Sequence, residues 1–214
     1  MKRRTKAQIE ELRRRFLERY GKATTELCYN SPYELLVAII LSAQCTDKRV
    51  NLITPALFER CPTIEALAQA DINEVKKLIS TCSFFNNKAQ HLVAMAKQVV
   101  LDHGGVIPTT EKELIRLSGV GEKTARVFLI ELFGANTMAV DTHVFRTSHR
   151  LGLSRALTPS QTADDLTKLF KTDLHTLHQG LVLFGRYICK AQKPLCEACF
   201  VRDFCTTTAN FKPR

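Results

Sequence analysis

Leu117-Ser118-Gly119-Val120-Gly121-Glu122-Lys123-Thr124-Ala125 is the stretch on which the reading of this chain turns, because two glycines interrupt an otherwise helical pattern. Upstream, Thr110-Glu111-Lys112-Glu113 has the form of a helix N-terminus and leads into Leu114 and Leu117. Downstream, Val127 to Phe133 is largely apolar. The pattern predicts two helices joined by a tight hairpin. Two glycines let the backbone turn sharply and approach another chain closely, and the second helix then begins with unpaired N–H groups that favour a phosphate. Such a helix-hairpin-helix contacts the DNA backbone rather than the base edges. A simple tight turn between packed helices is the alternative that a lone Gly-x-Gly leaves open.

The flanking sequence repeats the same grammar. Ile9, Leu12, Phe16 and Tyr20 form an apolar stripe at helical spacing, with Arg13, Arg14, Arg15 and Arg19 largely on polar faces. Ser31-Pro32-Tyr33-Glu34 combines an N-cap, a proline at the first helical position and a capping-box glutamate, and opens a helix apolar nearly all round, as a central core helix should be. Asp71-Ile72-Asn73-Glu74, then Asn86 or Asn87, then Thr158-Pro159-Ser160-Gln161 read as further helix starts, while Gly104-Gly105, Gly134 and Gly152 read as stops. No stretch alternates as a strand does, so the expectation is an all-α fold of about ten helices. Neither a low-complexity linker nor a tandem repeat marks a domain boundary.

Over 214 residues, 31 lysines and arginines face 21 acidic residues, for a net charge of +10. That balance suits a polyanionic partner, since each neutralised phosphate releases counterions, although charge alone also serves solubility. The longest apolar run, Leu35 to Leu41, is seven residues, against the ~20 needed to cross a bilayer. The basic start Met1-Lys2-Arg3-Arg4 is followed by no apolar signal core, and Glu10, Glu11 and Glu18 argue against a transit peptide. An intracellular protein, cytoplasmic or at the nucleoid, with no membrane partner is expected. Four of the eight cysteines, Cys189, Cys196, Cys199 and Cys205, crowd near the C-terminus, whereas Cys28, Cys45, Cys61 and Cys82 are scattered, which points to a metal site rather than a disulfide framework. Four thiolates with no histidine between them suit an iron-sulfur cluster or a zinc ion, and ligand softness does not choose between them.

The hairpin segment resembles that of the endonuclease III family, and Ala139-Val140-Asp141-Thr142-His143-Val144-Phe145-Arg146 resembles the segment that follows it there. Together with Leu41-Ser42-Ala43-Gln44, Thr46-Asp47 and the terminal cysteines, the likeness runs from about Thr25 to Cys205. It implies a helix-hairpin-helix DNA glycosylase fold: a six-helix barrel domain over residues 25–135, and a discontinuous iron-sulfur domain from residues 1–24 and 136–214, with DNA in a groove between them. The spacing Cys189-x6-Cys196-x2-Cys199-x5-Cys205 matches the family's [4Fe-4S] loop. With all four positions taken by cysteine, the cluster is read as structural rather than as a Lewis acid. The implied activity is that of a bifunctional glycosylase and abasic-site lyase, acting on oxidised pyrimidines and abasic sites in double-stranded DNA; the absence of long coiled-coil repeats favours a monomer.

By the same resemblance Lys123 is the nucleophile that attacks C1′, expels the base and leaves a Schiff base from which the strand breaks by β-elimination. Desolvation and the positive helix end would favour its neutral amine. Asp141 is the partner carboxylate, placed to stabilise developing positive charge, and is also an N-cap candidate. Since the target base must leave the stack, Gln44 is expected to fill the vacated space, and Phe84, where a leucine is familiar, to wedge the opposite strand. Their alternatives are a polar helix-end residue and core packing. Gly119, Val120, Gly121, Thr124, Arg126, His143, Arg146, Lys190 and Lys193 complete the implied DNA contacts, with Arg202 beside the cluster loop.

Three departures stand out. Ser118 replaces a common proline and should loosen the turn; Glu122 places a carboxylate beside the phosphate path; Arg126, where asparagine is usual, could compensate one helical turn away. Two other functions share part of this pattern. A monofunctional mismatch glycosylase would lack Lys123 and carry an extra C-terminal domain, and a non-catalytic iron-sulfur DNA-binding protein gives no reason for Lys123 and Asp141 to occur together.

Overall fold

The structure, a computed structural model, describes residues 4–207; the basic start Met1-Lys2-Arg3 and residues 208–214 lie outside it. Among the described residues there are eleven α-helices and no strand: α1 (Lys6–Tyr20), α2 (Pro32–Ser42), α3 (Asp47–Arg60), α4 (Ile64–Gln69), α5 (Ile72–Leu78), α6 (Phe85–His103), α7 (Glu111–Leu114), α8 (Glu122–Phe133), α9 (Thr142–Arg150), α10 (Pro159–Phe170) and α11 (Leu174–Leu183). A π-helical turn, Phe184–Ile188, continues α11, and two short 3-10 turns lie in the cysteine loop.

Most of these helices begin where a short polar side chain can satisfy an orphan N–H. Ser31 Oγ accepts from Glu34 N–H at 3.2 Å, Thr110 Oγ1 from Glu113 N–H at 3.3 Å, Thr158 Oγ1 from Gln161 N–H at 3.3 Å and Asp71 Oδ1 from Asn73 N–H at 3.1 Å. The start of α6 departs from expectation. It begins at Phe85, before either asparagine, with Phe84 as a left-handed N-cap that supplies no side-chain bond.

The chain divides into two compact units, one of residues 26–133 and one that combines the residues before 26 with those from 134 onward. In the first unit α2 is the central element. Leu35, Leu36, Val37, Ala38 and Leu41 are fully buried, and α3, α6 and α8 pack on this helix. Its near-continuous apolar composition is what a helix surrounded on all sides requires. In the other unit Leu12 and Phe16 of α1 are buried against Leu174, Leu177 and Leu181 of α11, and Phe16, Phe184 and Phe200 meet edge to face at ring separations of 5.1 to 5.5 Å. Arg13 of α1 also pairs with Asp173 ahead of α11. An N-terminal helix therefore closes a core otherwise made from the C-terminal half of the chain.

Candidate functional site

The hairpin turn lies between α7 and α8. Gly119 has φ +78°, and a Cβ there would lie 2.8 Å from His91 Cβ, so this turn and its contact with α6 both need glycine. Gly121 is different from the sequence expectation that both glycines bend the chain. It lies outside the left-handed region, and a Cβ would meet open space. What its missing side chain leaves clear is the approach to the start of α8. Ser118 also departs from expectation: its N–H donates to Gln98 Oε1 at 2.7 Å and its Oγ lies 3.0 Å from His91 Nδ1. A proline could not make the first bond, so α6 anchors the turn by hydrogen bonding where a ring would have stiffened it. Val120 is buried, with its N–H on Leu117 O.

Lys123 follows as the second residue of α8 and is exposed. The helix start supplies a favourable field for a nearby anion, but burial supplies none of the desolvation that the sequence reading expected. Thr124 beside it is half-buried. Arg126 is turned toward Glu111, with Nε 2.9 Å from Oε1, and lies 3.8 Å from Glu122. Glu122 is thus balanced in part by Arg126, as the one-turn spacing suggests, but Arg126 is engaged by two carboxylates rather than held out for a phosphate.

In the other unit Asp141 caps α9, its Oδ1 accepting from Val144 N–H at 2.8 Å. This leaves the carboxylate half-exposed with its second oxygen available for other chemistry. The half-buried His143 lies on the first turn of α9. Arg146 faces inward, donating to Cys189 O at 3.1 Å and Gly185 O at 2.7 Å. Its guanidinium braces the cysteine loop.

Gln44 and Phe84 are two of the five described non-glycine residues with a left-handed backbone, the others being Lys171, Asp173 and Lys193. Gln44 and Phe84 are each exposed, Phe84 at 63%, with φ of 54° and 58°. Such strain on residues other than glycine gathers where a side chain must be held in a set direction. Phe84 is not core packing; its neighbour Phe85 is the one packed against the first unit's core.

Cys189, Cys196, Cys199 and Cys205, none of them in a disulfide, line one cavity with about 380 Å³ of space open in part to solvent. Burial first, and then the other three thiols, push Cys199 up to about 11, so four bare thiolates would be costly together and a multiply positive inorganic centre would relieve them. Four cysteine sulfurs and no histidine line this cavity, a soft donor set whose chemistry fits an iron-sulfur cluster. Lys190 and Lys193 are exposed on this loop, whereas Arg202 pairs with Glu197 at 2.6 Å.

Lys88 and Gln98 did not figure in the sequence reading. Lys88 lies four residues before Leu92 on the buried stripe of α6, so a lysine in apolar register was the available signal. Gln98 gave none, because its partner Ser118 is distant in sequence.

Residues 37–172 match the family described as HhH-GPD superfamily base excision DNA repair protein, and residues 189–205 match the iron-sulfur binding domain of endonuclease III. The endonuclease III of Rickettsia conorii (strain ATCC VR-613 / Malish 7) is 44% identical over 189 residues, 88% of this chain and 90% of that protein. The endonuclease III of Escherichia coli (strain K12) is 38% identical over 204 residues, 94% of this chain and 95% of that one. Among solved structures, a trapped endonuclease III–DNA covalent intermediate superposes with a TM-score of 0.92 at 35% identity, covering 97% of this chain and 98% of that one. A thermostable thymine-DNA glycosylase, at 22% identity and a TM-score of 0.85 over 96% and 98% of the two chains, shares the fold.

Proposed function

Because this chain belongs to the endonuclease III family of HhH-GPD base excision DNA repair proteins, we propose that Lys123 and Asp141 carry its chemistry on oxidised pyrimidines and abasic sites in duplex DNA. The protein is a bifunctional DNA glycosylase and abasic-site lyase that binds DNA and carries a [4Fe-4S] cluster. The observation that carries the assignment is the position of Lys123, exposed on the first turn of α8 directly after the hairpin. Backbone N–H groups at that helix start hold a phosphate, and the open space over Gly121 lets the sugar-phosphate chain come close.

The damaged nucleotide leaves the stack at a cost of about a few kcal/mol. Gln44 fills the gap and Phe84 wedges the facing strand. Closure against DNA provides the desolvation that Lys123 lacks when free, which favours its neutral amine. Its Nζ then bonds to C1′ as the glycosidic bond breaks, and the base departs with a proton. The C1′–O4′ bond opens as the nitrogen lone pair forms the Schiff base, and O4′ takes up a proton. Removal of a C2′ proton expels the 3′ phosphate, which is the β-elimination, and water later releases the sugar from Lys123. The Asp141 carboxylate stabilises the positive charge on the sugar and the iminium and assists these proton transfers. Cys189, Cys196, Cys199 and Cys205 would hold the cluster, which would brace the loop bearing Lys190 and Lys193 rather than act as a Lewis acid.

Borohydride trapping tests the assignment on duplexes containing an abasic site or an oxidised pyrimidine. A covalent complex is expected with both, and none with Lys123→Ala. Trapping that survives in the variant moves the nucleophile elsewhere. Tight DNA binding without any complex leaves a non-catalytic DNA-binding protein.

A further inference from the structure

Lys88 is 6% exposed on α6, and its Nζ donates to Leu41 O at 2.7 Å, Ala43 O at 2.5 Å and Cys82 Sγ at 3.2 Å. Three acceptors match the three hydrogens of an ammonium, and none is a carboxylate. Two of them are carbonyls at the C-terminal end of α2, where the helix leaves acceptors unpaired and favours positive charge. The Lys88 backbone N–H makes the ordinary first-turn helical bond to Phe84 O at 3.1 Å, which does not depend on the side chain.

These partners are neighbours of the two strained residues. Ala43 immediately precedes Gln44, and Cys82 lies two residues before Phe84, so the side chain reaches both segments. A left-handed backbone is strained for a residue other than glycine, and the segments that carry Gln44 and Phe84 are the two that the buried Lys88 ammonium bonds. We infer that Lys88 is a positioning residue that holds Gln44 and Phe84 together in their left-handed, exposed conformations, so that gap filling and strand wedging act as one unit. This rests on the reading of those two side chains as the ones that enter the duplex. Lys88 is buried beneath the two segments and acts through them, without touching DNA. Cys82 completes the arrangement, since its Sγ also lies 3.4 Å from Leu41 O, linking the two segments directly.

The test uses the cluster-loaded full chain and two duplexes, one with a reduced, uncleavable abasic analogue and one undamaged, with the lesion preference read as the ratio of the two Kd values. Lys88→Met keeps the stem and removes the donors. Misplacement of about 1 Å can cost a hundredfold where geometry matters, and a tenfold to hundredfold fall in lesion preference is expected, with undamaged-DNA affinity unchanged. In a Gln44→Ala/Phe84→Ala background the same substitution should have no further effect, because it acts through those side chains. A general loss of structure would instead lower both affinities in proportion, and that result overturns the inference. So does a lesion preference in Lys88→Met equal to that of the native protein, or an undiminished effect in the double-variant background. A native protein with no lesion preference at all would overturn the reading of Gln44 and Phe84, and this inference with it. Where Lys88→Met fails to fold, Cys82→Ala removes one acceptor and leaves both carbonyl bonds. A loss of about threefold in preference, on the same scale of geometric sensitivity, is then expected, and none would overturn the inference.

Discussion

Asp141 offers two roles that a single atom change separates. Its Oδ1 caps α9 through Val144 N–H at 2.8 Å, and asparagine caps about as well as aspartate. Asp141→Asn should therefore leave the thermal midpoint of the protein unchanged while lowering cleavage of an abasic duplex by about a hundredfold, the size of a lost electrostatic contact in a transition state. Asp141→Ala should add a stability loss of about 0.5–2 kcal/mol, read from denaturant unfolding. Native activity in the asparagine variant would show that the charge is not used. The hairpin glycines divide in a comparable way. Gly119→Ala meets both a positive φ and His91 Cβ at 2.8 Å, and should destabilise the fold. At Gly121 neither obstacle exists, so Gly121→Ala should keep the native midpoint and weaken DNA affinity, by crowding a phosphate rather than the protein. Equal affinity in Gly121→Ala and the native chain would remove this glycine from the DNA contacts.

At the scale of elements, α6 organises more than its sequence pattern announces. Its first turn carries Lys88, and its later turns hold the hairpin through Ser118 N–H to Gln98 Oε1 at 2.7 Å and His91 to Ser118 Oγ at 3.0 Å. A proline at position 118 is ordinarily a way to stiffen a turn, and stiffening usually stabilises. Here the sign reverses. Ser118→Pro removes a made hydrogen bond and leaves Gln98 Oε1 without that donor, so a loss of about 1 kcal/mol is expected by denaturant unfolding. A gain in stability would show that chain entropy outweighs the bond. Helix starts with a polar cap were legible from sequence because capping is local. The start of α6 was not, because Phe84 adopts a left-handed N-cap without a side-chain bond, and its strain is sustained by Lys88 from within the fold.

For the whole molecule, the net charge of +10 favours a polyanion, and the number of phosphates contacted sets how binding responds to salt. Affinity for undamaged duplex should fall linearly on a log–log plot with a slope of about −0.9 per phosphate contacted. Lys190→Ala and Lys193→Ala should each make that slope shallower by about 1. Arg202→Ala should change it little, since Arg202 already pairs with Glu197 at 2.6 Å. An unaltered slope in the two lysine variants would take the cysteine loop out of the phosphate contacts. Each unit of the chain has its own apolar core, and no helix among the described residues is long and apolar enough to cross a membrane.

Periodicity, caps and cysteine spacing determined the all-helical fold, the central place of α2, the hairpin and the four thiols, because each is a relation between residues close in sequence. The resemblance to the endonuclease III family then singled out Lys123 and Asp141. Only the tertiary structure decided the rest. Arg126 and Arg146 look like DNA-facing cations in one dimension, yet Glu111, Gly185 and Cys189 claim them from remote parts of the chain. Lys88 stands in apolar register on α6, but its partners Leu41 O, Ala43 O and Cys82 Sγ are met only in the fold. A charge takes its role from the partners that desolvate and bond it, and those partners are brought together by folding.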